Sequence, residues 1–202
     1  MANYVIILAA GRGNRLKNKI PKCFVCLKNI PIYSYSLKTF LQIKKIKKIV
    51  LVVPKQYRNK IMQNKKVIVT VGGETRNESF ENGLVVLFKY LKLNDKIIVH
   101  DAARPYITKQ DILKVIDSKL LFATLCYKGL KNNVDLHLKC FNVQTPQFFI
   151  FWTYLFCFKC NPIGKDLFTY LNFNYTNENF IESFSKQKNK KITYKKDLSI
   201  NS

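Results

Sequence analysis

Apolar and polar positions along this chain switch between two patterns. Tyr4–Ala10 (YVIILAA) is an unbroken apolar run ending in Gly-x-Gly, the pattern of a strand buried on both faces that feeds a loop. Lys48–Pro54 (KIVLVVP), Lys66–Gly72 (KVIVTVG) and Lys96–His100 (KIIVH) repeat the pattern, and Phe122–Tyr127 (FATLCY) predicts one more strand. Helix signals lie between them. Pro31 opens a segment over Ile32–Ile43, with proline at a tolerated first-turn position. Thr75-x-x-Glu78 is a capping box that opens a helix running to about Leu91, and Thr108-x-x-Asp111 starts a further helix running to about Ser118. Strands alternating with helices predict an α/β fold with a mostly parallel sheet. The aromatic run Phe148–Phe158 predicts a buried helix, too short to span a bilayer. No repeat or linker divides the 202 residues, which predicts a single domain. The basic run Lys186–Lys196 is expected to be solvated.

Charge changes this picture less than its total suggests. Lys and Arg number 35 against 12 Asp and Glu, a formal net charge of +23, which invites a nucleic-acid reading. Only Arg12, Arg15, Arg58, Arg76 and Arg104 are arginines; all the other basic residues are lysines. Lys, Asn, Ile, Phe and Tyr share AT-rich codons, so drift in base composition accounts for most of the excess, and a nucleic-acid partner is not expected. The apolar fraction of 48% fits a globular chain. The first residues, MANYVIILAAG, lack a basic n-region, so no signal peptide is expected. No membrane partner is expected either, and the expected location is the cytoplasm.

Against that background the remaining Arg and Gly are informative. In parallel α/β sheets ligands bind at the carboxyl ends of strands. Three segments at those ends, Ala9–Arg15, Gly72–Ser79 and Asp101–Pro105, hold four of the five Arg and four of the seven Gly. After the first strand, Gly11 and Gly13 permit a tight turn that brings amides close to an anion, and Arg15 and Lys22 add charged donors. The loop lacks the third glycine of a dinucleotide fingerprint and the GxxxxGK[ST] of a Walker loop. Taken alone it is equally compatible with an ordinary strand-to-helix loop.

The segments AAGRGNR…PK, VGGETRNES, VHDAARP, QTPQFF and NKKITYKKDL, in that order, resemble the nucleotidyltransferases that activate phosphorylated sugars and polyols. Within them they resemble the 2-C-methyl-D-erythritol 4-phosphate cytidylyltransferases of non-mevalonate isoprenoid precursor biosynthesis. The resemblance runs from Tyr4 to about Leu198. It implies a Rossmann-like nucleotidyltransferase fold in which a β-arm, here shortened, spans 128–143. It implies cytidylyl transfer from CTP to a polyol phosphate with release of pyrophosphate, using Mg²⁺. Arg15, Lys22 and Lys191 are then the catalytic cations. CTP would lie against Ala9, Ala10, Gly11, Gly13, Gly73, Glu74, Ser79, Asp101 and Ala102. Asp101, Arg104 and His137 would face the polyol phosphate, and Asp101 would also be the metal ligand. His100 is expected to be structural.

The chain departs from the family pattern in its arm. Lys128-Gly129 stand where the family has Asp-Thr, and His137 stands where it has an arginine. Lys165-Asp166 are what remains of an acidic run. A homodimer stays open, but the short arm argues against the family's arm-swapped form of it. Cys23/Cys26 and Cys157/Cys160 have CxxC spacing, but free thiols are the expected state rather than a zinc site. Two rivals stay open: a cytidylyltransferase for another acceptor such as ribitol 5-phosphate, and a non-catalytic basic protein that binds nucleic acid.

Overall fold

The computed structural model describes residues 1–13, 20–61, 63–119, 122–128, 141–150, 180–182 and 189–198. Strand β1 (Asn3–Leu8) is buried along its whole length. It pairs in parallel with β4 (Ile46–Val53) on one side and β6 (Lys96–Asp101) on the other. Strand β5 (Val67–Val71) adds in parallel outside β4. Continuous apolar runs suit such strands because both faces are covered.

The side chains of β1 divide between two cores. Val5 and Ile7 pack in one cluster with Phe40 and Ile43, near helix α1 (Ile32–Leu41), and with Ile112, Val115 and Ile116 of helix α3 (Lys109–Asp117). Tyr4, Ile6 and Leu8 pack in the other, with Phe80, Leu84 and Leu87 of helix α2 (Arg76–Leu87). The period-2 alternation of a strand thus feeds a helix–sheet–helix sandwich. Helix α2 lies so close to the sheet that a Cβ at Gly83 would sit 2.8 Å from Ile6 Cγ2 and 3.0 Å from Val52 Cγ2.

Both helices are capped at the expected threonines, but the reciprocal capping box forms at Thr108, whereas at Thr75 the Glu78 carboxylate takes the preceding amide instead. Thr108 Oγ1 accepts the Asp111 amide at 3.1 Å, and the Asp111 carboxylate accepts the Thr108 amide in return. Thr75 Oγ1 accepts the Glu78 amide at 3.1 Å, while Glu78 Oε2 takes the amide of Glu74 at 2.9 Å. Helix α2 passes into a 3-10 turn, Phe88–Tyr90, just short of the expected end at Leu91. Pro31 stands at the N-cap of α1.

The far side of the sheet differs from expectation. Strand β8 (Phe141–Ile150) runs antiparallel to β6, with Ile98 opposite Phe148 and Ile97 opposite Phe149. Phe148, Phe149 and Ile150 therefore end a strand and do not begin a helix; the rest of the run to Phe158 lies outside the described residues. A short apolar run has no periodicity to separate strand from helix, and pairing with β6 decided it. Strand β7 (Phe122–Lys128) pairs antiparallel with β8 as far as Lys128 opposite Phe141, and β9 (Phe180–Glu182) adds in parallel to β7. Thr124 faces Gln147 and Leu125 faces Gln144, so Thr145 and Pro146 form a bulge, a place where a strand tolerates proline.

Two elements have weak sequence signals. Strands β2 (Cys26–Leu27) and β3 (Ile30–Pro31) form a hairpin turned by Lys28 at φ 49° and Asn29 at φ 63°. Of the run Lys186–Lys196, expected to be solvated, residues 186–188 lie outside the described residues; Lys190, Lys195 and Lys196 are exposed, but the backbone from 189 on is docked, with Asn189 and Ile192 buried and Ile192 packed with Leu27 and Ile32.

Candidate active site

The carboxyl ends of β1 and β6 open into a cleft of about 220 Å³. Ala10, Gly11 and Arg12 line it from the loop after β1, together with Lys22 and Cys23. Gly73, Glu74, Thr75, Arg76 and Ser79 line it from the start of α2, and Asp101, Ala103 and Lys191 complete it. Lys22, Asp101 and Lys191, far apart in sequence, thus share one wall-to-wall space.

Local geometry explains how each arrives. Gly13 holds φ 70°, and a Cβ there would stand 2.5 Å from Lys22 Cβ. Only glycine allows the first loop and the Lys22 backbone to pass this close. Lys22 itself opens a 3-10 turn, Lys22–Phe24, with Pro21 at its N-cap. A Cβ at Gly72 would sit 2.3 Å from Ala10 Cβ, so the second loop presses on the first. The Gly73 amide donates to Ser79 Oγ at 3.2 Å, which turns the Ser79 hydroxyl toward the loop at the cleft margin.

Asp101 ends β6 and is 7% exposed. Its Oδ1 accepts from Arg76 Nε at 3.3 Å and its Oδ2 from Lys191 Nζ at 2.7 Å. Burial by itself raises a carboxyl pKa; the charges of Arg76, Lys191 and Arg104 overcome that and hold Asp101 well below the usual carboxylate range. The cleft therefore presents an ionised carboxylate between two cations.

Neighbouring residues serve the frame. His100 is fully buried; its Nε2 lies 3.1 Å from Ser36 Oγ and 3.2 Å from Arg104 O. Burial pushes its pKa down to about 3, so the ring is neutral. Arg104 Nη1 donates to Asn189 O at 3.1 Å, tying its guanidinium to the C-terminal segment. The amides of Ala9 and Ala102 extend the sheet, donating to Val52 O at 2.8 Å and Leu8 O at 3.0 Å. Arg15, Gly129, His137, Cys157 and Cys160 lie outside the described residues. Among the described residues no cluster of His, Cys, Asp and Glu suits a metal. Among the described residues Cys23 and Cys26 are free thiols; burial, more than its charged neighbours, pushes Cys23 up to about 12.

Arg76 is the charged partner of Asp101 that the sequence left unassigned. Its signal was present, since it is one of the few arginines and lies in the strand-end segment before Ser79. What the sequence lacked was its pairing with Asp101. Leu8, Arg12, Cys23, Thr75 and Ala103 are also cleft residues without an assigned role.

A family model described as 2-C-methyl-D-erythritol 4-phosphate cytidylyltransferase matches residues 3–125, the part of the chain that carries β1 through α3 and most of the cleft. The chain belongs to that family. Membership makes it an enzyme of the nucleotidyltransferase class. A 2-C-methyl-D-erythritol 4-phosphate cytidylyltransferase of Thermotoga neapolitana is 32% identical over 161 residues, covering 73% of this chain and 72% of that protein. The protein of that name from Endomicrobium trichonymphae is 37% identical over 119 residues, but the match spans 58% of this chain and only 53% of the relative. A crystal structure of the Francisella tularensis cytidylyltransferase superposes with a TM-score of 0.76 at 28% identity, covering 98% of this chain and 97% of the other. The mostly parallel sheet with flanking helices is thus the fold of this family.

Proposed function

We propose that this cytidylyltransferase-family chain transfers the cytidylyl group of CTP to 2-C-methyl-D-erythritol 4-phosphate, in non-mevalonate isoprenoid precursor biosynthesis. The observation that carries the reading is the meeting of Lys191 with Asp101 in the cleft that Lys22 lines. In the proposed step an oxygen of the acceptor phosphate attacks the α-phosphorus of CTP. The bond from that phosphorus to the bridging oxygen breaks, and pyrophosphate leaves. The nucleophile is already ionised, so no proton need be removed. Catalysis then depends on positioning and on neutralising spread negative charge.

Arg15 and Lys22 take the triphosphate and the departing pyrophosphate. Lys191 takes the acceptor phosphate and the α-phosphate, exchanging Asp101 for them as the ligands arrive. Gly11 and Gly13 bring the first loop close to the phosphates, while Gly73, Glu74 and Ser79 meet the base. Arg104 and His137 are assigned to the polyol phosphate; the tie from Arg104 to Asn189 keeps that guanidinium at the end of the strand carrying Asp101.

The donor set is compatible with Mg²⁺. One buried, ionised carboxylate in a phosphate-binding cleft suits a hard cation that takes one or two carboxylates and otherwise phosphate oxygens and water. Bound there beside Asp101, the ion would neutralise phosphate charge. Among the described residues no helix is long and apolar enough to cross a membrane; the cytoplasm is the location proposed for the enzyme.

Turnover decides the matter. Pyrophosphate release is measured with CTP and 2-C-methyl-D-erythritol 4-phosphate, and separately with CTP and ribitol 5-phosphate. Activity with the first acceptor is expected; activity with ribitol 5-phosphate alone would reassign the substrate. CTP with Mg²⁺ is expected to raise the melting temperature more than ATP does. Steeply salt-dependent RNA binding with no response to CTP would overturn the reading.

A further inference from the structure

Lys190 and Lys191 are adjacent in sequence, yet their ammonium groups part. Lys191 reaches Asp101 in the cleft, whereas Lys190 Nζ lies 3.0 Å from Asp197 Oδ1. Asp197 is only 4% exposed. Its Oδ2 accepts the amides of Thr193 and Tyr194, each at 2.8 Å. Burial raises its pKa, but the two amides and then Lys190 outweigh that and hold it below the usual carboxylate range. One carboxylate therefore closes a turn over 193–197 and draws one lysine to itself.

The remaining ties of this segment lie on either side of Lys191. Arg104 Nη1 holds Asn189 O, and Asn189 is buried at φ 45°. The Ile192 amide donates to Ala103 O at 2.8 Å, and its side chain is 1% exposed in the Leu27–Ile32 cluster. Lys191 itself, 41% exposed at the side chain, has no such burial to fix it. Apart from its bond to Asp101, its place depends on the backbone at both neighbours.

We infer that Asp197 is a positioning residue for the transfer reaction: by closing the 193–197 turn and holding Lys190, it leaves Lys191 as the lysine directed at the cleft. This rests on the proposed role of Lys191 at the reacting phosphates. Asp197 bonds to Thr193, Tyr194 and Lys190, none of which lines the cleft, and acts through the strap that carries Lys191.

The test is a double-mutant cycle on turnover, with wild type as control. Asp197→Ala is expected to lower kcat at least tenfold while KM for CTP stays within about threefold. In a Lys191→Ala background the same change is expected to cost nothing further, because its target is gone. Asp197→Asn retains an acceptor for the amides but not the charge for Lys190, so an intermediate loss is expected; it replaces the alanine variant throughout if the latter does not fold. The second measurement is amide exchange at Ile192, expected to accelerate in the Asp197 variant while that of Ile98 in β6 does not. Wild-type kcat in the Asp197 variant, an equal fractional loss in both backgrounds, or unchanged Ile192 exchange would each overturn the positioning role. Absence of wild-type turnover would instead refute the cytidylyl-transfer reading on which it rests.

Discussion

At the scale of single residues, charge and close approach govern the site. Asp101 stays ionised although buried because Arg76 and Lys191 stand against its two oxygens. Removing one cation that stabilises transferred negative charge costs about 10²–10³ in kcat, by analogy with oxyanion donors. Lys22→Ala and Lys191→Ala are each expected to fall by that much in a pyrophosphate-release assay while the variants keep the wild-type circular dichroism. A loss below tenfold at Lys22 would remove it from the phosphate site. Gly13 makes a separate case. Alanine there meets the Lys22 Cβ and must hold φ 70°, at a conformational cost of roughly 1–2 kcal/mol. Gly13→Ala is expected to depress turnover by displacing Lys22, and the measurement to set beside it is CTP affinity, which should weaken in parallel.

At the scale of elements, helices are placed by their caps and by how closely they lie on the sheet. Thr108 gives α3 a reciprocal capping box. Thr108→Ala is expected to cost about 1 kcal/mol, a fall in melting temperature of roughly 2–4 °C for a chain of this size. Because α3 packs behind the sheet and contributes no residue to the cleft, kcat should not change. Gly83 fixes the distance of α2, whose first turn carries Arg76 and Ser79. Leucine at Gly83 would push Ile6 and Val52 apart from the helix, so Gly83→Leu should lower both stability and CTP affinity. Unaltered CTP binding in that variant would show that the helix start is placed by the capping signal alone.

At the scale of the whole molecule, acid sensitivity follows from burying a neutral imidazole. The pKa of His100 falls from 6.5 to about 3 on folding, so between those values the unfolded chain binds a proton that the native state does not. Stability therefore rises with pH across that window and is lost as pH falls below 6.5, with a slope approaching about 1.4 kcal/mol per pH unit from this group. Asp101 has the opposite chemistry but adds in the same direction: its lowered pKa contributes stability above the ordinary carboxylate value of 3.8 that disappears as pH falls through its folded value. Urea unfolding at pH 7 and pH 5 should show the loss, and His100→Asn should flatten it even if that variant is less stable throughout. An unchanged slope would locate the titrating group elsewhere.

Much of this was legible in the chain itself. Solid apolar runs marked β1, β4, β5 and β6, because strands covered on both faces need no alternation. Thr and acidic residues at cap spacing marked the starts of α2 and α3, since a cap is satisfied within four residues. The concentration of Arg and Gly at strand ends located the cleft. Features that depend on partners distant in sequence were not legible. The strand character of Phe148–Ile150 comes from pairing with β6. The ordering of residues 189–198, lysine-rich and polar by composition, comes from Ile192 entering the Leu27–Ile32 cluster and from Asp197 turning back on its own amides. The sequence by itself determined the elements and the chemical groups available, because those follow from local periodicity and residue type. Only the tertiary structure decided which cations share Asp101, because that depends on the parallel register placing the end of β6 beside β1 and on the docked strap returning Lys191 to it.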